Sequence, residues 1–136
     1  MSVSRGSNIA KYLLDTTILI DHLRGRQEAV DLLTVLVRQG HRLGLCCVNV
    51  AELYSGLRHE ERARADRLIG NLDFYDVTRE AAKQAGQYRY DFACRGITLS
   101  IADTLVAATA VTQSATLVTA NTKDFPIEGI ELLEHP

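Results

Sequence analysis

Three acidic residues of this 136-residue chain stand singly in apolar segments, where carboxylates are uncommon. Asp15 lies between Leu-Leu and the run TTILI, and Glu52 is the only charged residue between Gly44 and Leu57. Asp103 is the only charged residue of SIADTLVAATAV, whose apolar character on nearly every side predicts a buried helix. A carboxylate in such surroundings is unfavourable unless it is paired, capped or bound to a cation. The sequence therefore poses the question of what these carboxylates bind.

The same acids, with Asp124 as a fourth, follow the predicted strands. Asp15 comes directly after the first strand, Glu52 one helical turn after the second, and Asp124 just after the fourth. Asp103 lies in the first turn of the helix that leads into the fourth strand. Ligands of open parallel sheets bind beyond the carboxyl ends of the strands, so we expect the four carboxylates at one edge. Their repulsion opposes folding unless a cation lies between them, and oxygen ligands in this number favour Mg²⁺ or Mn²⁺.

Helix capping is a purely structural interpretation of the same acids. Ser100 and Asp103 have the spacing of a capping box, and an acid in a first turn also suits the helix dipole. Glu52, three residues after Asn49, could complete a cap of its own helix, and Asp15 could cap the helix that follows it. Capping explains each acid individually, but it does not explain why the acids occur singly in apolar segments.

Short apolar runs alternate with amphipathic segments along the chain. This alternation predicts an α/β fold with a mostly parallel sheet. We expect a single domain over residues 11–136, preceded by a loose tail of residues 1–10. The predicted strands are Lys11–Leu14, Arg42–Val48, Phe74–Val77, Thr116–Thr119 and Ile130–Leu133. The predicted helices are Ile18–Leu23, Gln27–Gln39, the segment capped by Asn49 that ends near Leu57, Glu60–Leu72, the segment capped by Thr78 that ends near Arg95, and Ser100–Val111.

Composition excludes several classes of protein. An apolar fraction of 46% is ordinary for a folded domain, and a net charge of −2 gives no overall basic footprint for nucleic acid. No apolar run approaches the roughly 20 residues of a membrane span, and the start lacks the apolar core of a secretory signal. The three cysteines, of which Cys46 and Cys47 are adjacent in the second predicted strand, have no zinc-ligand spacing. We therefore expect a cytoplasmic protein whose cysteines are small core residues.

Four segments of the chain resemble the motifs of a known family. They are LLDTTILIDHLRG, VNVAELYSGL, SIADTLVAATA and VTANTKDFP. In this order and spacing they resemble the PIN-domain ribonucleases, and in particular the VapC-type toxins of bacterial toxin–antitoxin pairs. One such motif is weak evidence, whereas four in order, each with its acid, are specific. The resemblance extends over about residues 11–133, nearly the whole chain.

The resemblance implies a PIN-like three-layer fold, in which a mostly parallel central sheet of about five strands carries helices on both faces. It implies an endoribonuclease that hydrolyses RNA phosphodiester bonds by a metal-activated water, with Mg²⁺ as cofactor and Mn²⁺ as its substitute. The family's catalytic and metal-binding acids map to Asp15, Glu52, Asp103 and Asp124. We expect the first three to be primary ligands, and Asp124 to lie further out or to bind a second metal. The family also implies a homodimer and an antitoxin protein whose C-terminal segment fills the acidic groove.

Polar residues beside the acids complete the implied site. The family's hydroxyl and amide groups near the metals map to Thr17, Thr119 and Asn121. Many members of the family have Asn where this chain has Thr17, and many have Arg or another residue where this chain has Ala120. We expect the first difference to affect metal or water positioning and the second to affect contacts with the substrate.

The RNA has to approach a chain that is acidic overall. Arg24 and Arg26 follow the first motif, Arg58 follows the second, and Lys123 precedes Asp124. We expect these four basic residues to form a rim that binds RNA phosphates. The alternative is a solvated charged surface that binds nothing.

Other classes of protein also place an aspartate after the first strand together with Mg²⁺. A HAD-type phosphatase requires a second aspartate two residues on, where this chain has Thr17. A receiver domain requires an acidic pair near the first strand and a phosphoacceptor aspartate after a middle strand, and no such set is evident. The remaining alternative is a non-catalytic PIN-like module that binds metal or protein, which only an activity measurement separates from an enzyme.

Overall fold

The computed structural model describes residues 9–135, which form an α/β fold. The strands are β1 (Lys11–Leu14), β2 (Arg42–Cys46), β3 (Asp73–Tyr75), β4 (Ala115–Thr119) and β5 (Leu132–Glu134). The helices are α1 (Thr16–Leu23), α2 (Gln27–Arg38), α3 (Cys47–Gly56), α4 (Arg62–Gly70), α5 (Arg79–Ala93) and α6 (Ile101–Thr112), with short 3₁₀ helices at His59–Glu61 and Thr122–Asp124. All pairings between strands are parallel, and the order across the sheet is β3-β2-β1-β4-β5.

Successive residues of each strand pack on opposite faces of the sheet, because side chains alternate along an extended backbone. Leu13 and Leu117 belong to the core formed with α5 and α6, whereas Leu14 and Val118 belong to the core formed with α1 to α4. All four side chains are completely buried. Helices therefore cover both faces, and the prediction of a three-layer fold around a parallel sheet of about five strands is confirmed.

The direction of the strand order changes between β1 and β4, which are neighbours in the sheet although they are distant in sequence. β2 and β3 extend the sheet on one side of this pair, and β5 extends it on the other. Such a topological switch point opens a crevice at the carboxyl ends of the strands. Leu14 is in register with Val118 at those ends, so the residues that follow, Asp15 and Thr119, meet there.

The second strand is shorter than predicted. β2 ends at Cys46 rather than Val48, and α3 begins at Cys47. The prediction that Asn49 is the N-cap is therefore wrong, because Cys46 is the N-cap and Asn49 lies in the first turn. The cause is a buried hydrogen bond, in which the Cys46 backbone N–H donates to Asn49 Oδ1 at 3.0 Å and closes the turn early.

Smaller differences concern other boundaries. The predicted helix Glu60–Leu72 is divided between a short 3₁₀ helix and α4, and β5 begins at Leu132 rather than Ile130. Cys47 and Cys94 are exposed, so the prediction of core cysteines is wrong for both of them.

Most of the predicted tail, residues 1–8, lies outside the described residues. Ala10 is held in the structure, because its N–H donates to His41 Nδ1 at 3.0 Å and its carbonyl accepts from Arg42 N at 2.9 Å. Within residues 9–135, no helix is long and apolar enough to cross a membrane.

Candidate active site

Asp15 lies between β1 and α1, at the switch point of the sheet. It is the N-cap of α1, since its Oδ1 accepts a hydrogen bond from Thr16 N at 2.9 Å. Its Oδ2 accepts a hydrogen bond from Thr119 Oγ1 at 2.9 Å, across the β1–β4 pair. The Asp15 backbone N–H donates to the Val118 carbonyl at 3.0 Å. Capping therefore accounts for one carboxylate oxygen of Asp15, and the other is fixed toward β4.

Glu52 lies on the exposed side of α3, and the first residue of α1 holds its carboxylate. Thr16 Oγ1 donates to Glu52 Oε1 at 2.8 Å. The alternative in which Glu52 completes a cap with Asn49 is wrong, because α3 already begins at Cys47. Thr16 binds Asp15 through its backbone N–H and Glu52 through its hydroxyl, so that one residue links two of the predicted acids.

Asp103 lies in the first turn of α6, whose N-cap is Ser100. The Ser100 Oγ accepts a hydrogen bond from Asp103 N at 3.0 Å. This half of the predicted capping box is present. The Ser100 side chain also lowers the pKa of the Asp103 carboxyl, but burial raises that pKa more strongly, so capping alone does not account for an acid at this position.

The four predicted acids lie close enough to affect one another's pKa or charge. Burial is the largest cause that raises the pKa of Asp15, and the negative charges of Asp103 and Glu52 raise it further, against the hydrogen bonds that stabilise its carboxylate. Burial also raises the pKa of Asp103, with added repulsion from Asp124 and Glu52. Each acid is therefore within electrostatic reach of at least one other. We call Asp15, Glu52, Asp103 and Asp124 the acid cluster.

Asp124 lies in the 3₁₀ helix that follows β4, and it is exposed. The backbone fixes this turn, since Asp124 N donates to the Asn121 carbonyl at 2.9 Å and Asn121 N donates to Thr119 Oγ1 at 3.1 Å. The buried Thr119 hydroxyl therefore connects the turn with Asp15. Of the predicted polar helpers, Thr119 contributes its side chain to this network, whereas Asn121 contributes its backbone and has an exposed side chain.

The donor atoms of the acid cluster fit a hard divalent cation, because carboxylate and hydroxyl oxygens are the ligands that Mg²⁺ and Mn²⁺ prefer. Within residues 9–135, no group of three or more histidine, cysteine or acidic side chains is already arranged as a metal site. Thr17 Oγ1, near Asp15, is buried and has no hydrogen-bond partner in the described part of the chain. A buried hydroxyl without a hydrogen-bond partner raises the free energy of the fold, so a water or ligand that bonds to this hydroxyl would stabilise the protein.

Three of the four basic residues predicted to bind RNA phosphates form ion pairs within the chain. Arg24 Nε lies 3.2 Å from Glu61 Oε2, and Arg58 Nη2 lies 3.4 Å from the same oxygen. Arg26 Nε lies 3.2 Å from Asp21 Oδ1. The Glu61 side chain is only 1% exposed, so Arg24 and Arg58 first serve to stabilise a buried carboxylate.

Two residues that no sequence motif singled out contact the acid cluster directly or through one bond. Thr16 follows Asp15 immediately, but the family pattern predicts Thr17 as the polar residue beside the metal. Asn49 lies three residues before Glu52. The sequence predicts Asn49 as an N-cap and does not predict its contact with Thr16. The signal in each case is a polar residue in an otherwise apolar segment next to a predicted acid.

A sequence model of the PIN domain matches residues 12–126 of the chain. The chain is similar to Ribonuclease VapC19 of Mycobacterium tuberculosis, at 36% identity over 117 residues that cover 85% of this chain and 92% of the relative. It is 35% identical to Ribonuclease VapC10 of the same organism over 115 residues, which cover 85% and 86% of the two chains. The chain belongs to the PIN-domain family, as its four motifs predict. Ribonucleases of this family depend on metal ions, in agreement with the donor atoms present.

Solved structures share the fold. VapBC2 from Rickettsia felis, bound to a DNA fragment of its promoter, superposes with a TM-score of 0.81 at 23% identity and covers 91% of this chain and 98% of that chain. DNA-bound VapBC from Salmonella typhimurium superposes with a TM-score of 0.81 at 22% identity and covers 94% and 100%. At these identities the likeness concerns the fold, which agrees with the three-layer architecture.

We expect Asp103→Asn to leave the metal-free protein at least as stable as the native chain at pH 7. The pKa of Asp103 is raised from its usual 3.8, so the stability linked to its protonated form is lost as the pH rises through the raised value. Asparagine does not ionise and escapes this loss. The measurement is the free energy of unfolding from urea denaturation in EDTA. As a control, Glu80→Gln removes an exposed first-turn acid of α5 and should lose about 0.3–1 kcal/mol of dipole energy. An equal loss for Asp103→Asn would mean that burial and neighbouring acids do not disfavour the ionised Asp103 carboxylate.

Glu61 produces a pH dependence of the opposite sign. Hydrogen bonds from the Arg24 side chain and the Arg58 backbone lower the pKa of Glu61 from its usual 4.5 to about 2. The stability that Glu61 contributes is present above pH 4.5 and is lost as the pH falls through about 2. Glu61→Gln should therefore lower stability at pH 7 and flatten its decline on acidification, measured by unfolding from pH 7 to pH 2. The exposed Glu28 of α2 supplies the control Glu28→Gln, and an unchanged slope for Glu61→Gln would contradict the ion-pair account.

Proposed function

We propose that this chain is a divalent-metal-dependent endoribonuclease that acts as the toxin of a toxin–antitoxin pair. The observation that carries the proposal is the acid cluster at the switch point of a PIN-domain sheet. Relatives named Ribonuclease VapC support the reaction and the substrate class, because they are 35% and 36% identical over most of both chains.

The residues have distinct roles in this proposal. Asp15, Glu52 and Asp103 would hold the ion, directly or through water, and Asp124 would lie further out or bind a second ion. When bound, Mg²⁺ or Mn²⁺ activates a water and offsets negative charge on the scissile phosphate. Thr16 holds one oxygen of Asp15 and one of Glu52, so both carboxylates are oriented before RNA binds.

The exposure of the acid cluster suits a polymeric substrate. Glu52 and Asp124 are exposed, and Asp15 and Asp103 are half-buried. An apolar cavity of about 410 Å³ between α2 and α4 has none of these four acids in its lining. An open edge admits an internal phosphodiester of a long chain, whereas an enclosed pocket selects a small ligand. This favours an endonuclease over a phosphatase-like enzyme.

Lys123 is the basic residue that we expect the RNA backbone to contact first. It is exposed beside Asp124, and within residues 9–135 no ion pair engages its ammonium group. Arg24, Arg26 and Arg58 have 42%, 68% and 66% exposed side chains and would share their guanidinium groups between carboxylates and phosphates. Contacts of this kind position RNA without reading its bases.

The proposed protein partner is an antitoxin. The structures from Rickettsia felis and Salmonella typhimurium that share this fold are VapBC assemblies bound to DNA. In our proposal the C-terminal segment of the antitoxin occupies the acidic groove and excludes RNA from it. We expect the toxin to act as a homodimer in the cytoplasm.

The native chain should cleave a labelled RNA pool in the presence of Mn²⁺ or Mg²⁺ and fail to do so in EDTA. Asp15→Ala should lower the cleavage rate by roughly a thousandfold, equivalent to about 4 kcal/mol, because charge stabilisation by the ion is lost with its ligand. The measurement is single-turnover cleavage followed on gels, with each metal added in turn.

Glu28→Gln is the matched control, since it removes an exposed acid outside the acid cluster and should cleave at the native rate. In cells, expression without an antitoxin should arrest growth, and Asp15→Ala should relieve the arrest. Metal binding without cleavage would instead favour the non-catalytic module. Cleavage by Asp15→Ala at the native rate would contradict the proposed role of the acid cluster.

A further inference from the structure

Asn49 is a completely buried amide that lies one helical turn before Glu52 on α3. A buried amide has to find hydrogen-bond partners for its oxygen and its nitrogen, because each is unfavourable without one. The capping bond to Cys46 accounts for the oxygen alone. The partner of the nitrogen lies in the direction of the acid cluster.

The assignment of the two ends of the Asn49 amide follows from its neighbours. The Cys46 backbone N–H can only donate, and it lies 3.0 Å from Oδ1, so this atom is the acceptor. The Cys46 Sγ lies 3.2 Å from the same oxygen. Nδ2 therefore faces the other side, where it donates to Thr16 Oγ1 at 3.4 Å, the longest bond of the set.

The hydroxyl of Thr16 then has a fixed direction. It accepts the N–H of Asn49, so its own proton is directed to Glu52 Oε1, 2.8 Å away. The bonds thus run one way, from the Cys46 backbone through Asn49 and Thr16 to a carboxylate. Each connecting group is neutral, so Glu52 is oriented while its negative charge stays available to a cation. A lysine or arginine partner would offset that charge.

We propose that Asn49 is a positioning residue for Glu52, which it orients through the hydroxyl of Thr16. The inference rests on the proposed function, in that Glu52 is taken to be a ligand of the divalent ion. Partners one bond removed from a metal ligand fix its orientation, and their loss typically lowers metal affinity or activity by about 10–100-fold. Asn49 therefore sets metal affinity from inside the core.

The test measures Mn²⁺ affinity from the rise in melting temperature with Mn²⁺ concentration, which does not depend on RNA cleavage. Asn49→Ala and Thr16→Val should each weaken Mn²⁺ binding roughly tenfold. The double variant should be no weaker than either single one, because both remove the same connection. Thr16→Ser keeps the hydroxyl and should restore affinity close to the native value. Thr34→Val, which removes a hydroxyl that donates within α2, should bind Mn²⁺ as the native chain does.

A second variant guards against misfolding of Asn49→Ala. Thr16→Val is that variant, because it breaks the same connection at a partly exposed position and leaves the buried Asn49 in place. Native-like Mn²⁺ binding by Thr16→Val, or losses that multiply in the double variant, would overturn the inference. Native-like Mn²⁺ binding by Asp103→Asn and Glu52→Gln, or no Mn²⁺ binding by the native chain, would overturn the proposed metal site itself and the inference with it.

Discussion

The burial of neighbouring carboxylates in the acid cluster is the constraint on which the rest of the structure depends. Raised pKa values at Asp15 and Asp103 mean that the fold holds these groups where their ionised forms are disfavoured. The parallel register of β1 and β4 enforces the arrangement, because it places Asp15 against Thr119 at the ends of two buried strands. Apolar packing on both faces of the sheet supplies the free energy that offsets the repulsion.

The chain treats its acids in two opposite ways. Glu61 is buried and bound by two arginines, so its pKa is low and its charge stabilises the fold. Asp15 and Glu52 instead receive their hydrogen bonds from hydroxyl groups and backbone N–H groups, which orient them without neutralising them. The charge of a carboxylate paired with arginine is already offset, whereas the charge of one held by neutral donors remains available to a cation. This contrast separates structural acids from candidate ligands more clearly than their sequence positions do.

The sequence predicts an α/β fold with a mostly parallel sheet because amphipathic helices and apolar strands carry a periodic signal that depends on no partner, and the resemblance to the PIN-domain ribonucleases implies the three layers. It predicts the acids for a similar reason, since a single charge such as Glu52 in an apolar segment is visible locally. The end of β2 could not be predicted, because Cys46 and Asn49 settle it by a side-chain bond that no periodicity encodes. Thr16 and Glu52 are 36 residues apart in sequence, and Arg24 and Glu61 are 37 residues apart, so only the fold brings each pair together. The roles of the acid cluster remain predictions.

The most direct test of the account is a crystal structure of the native chain grown with Mn²⁺, with the ion located by its anomalous scattering. We expect a peak at the carboxyl ends of β1 and β4, with carboxylate oxygens of Asp15 and Asp103 at about 2.1 Å or joined to it through water. Glu52 should then keep its bond to Thr16 through one oxygen and turn the other toward the ion. Saturating Mn²⁺ that gives no peak among these acids, or a peak only elsewhere on the surface, would contradict the claim that the acid cluster is a metal site.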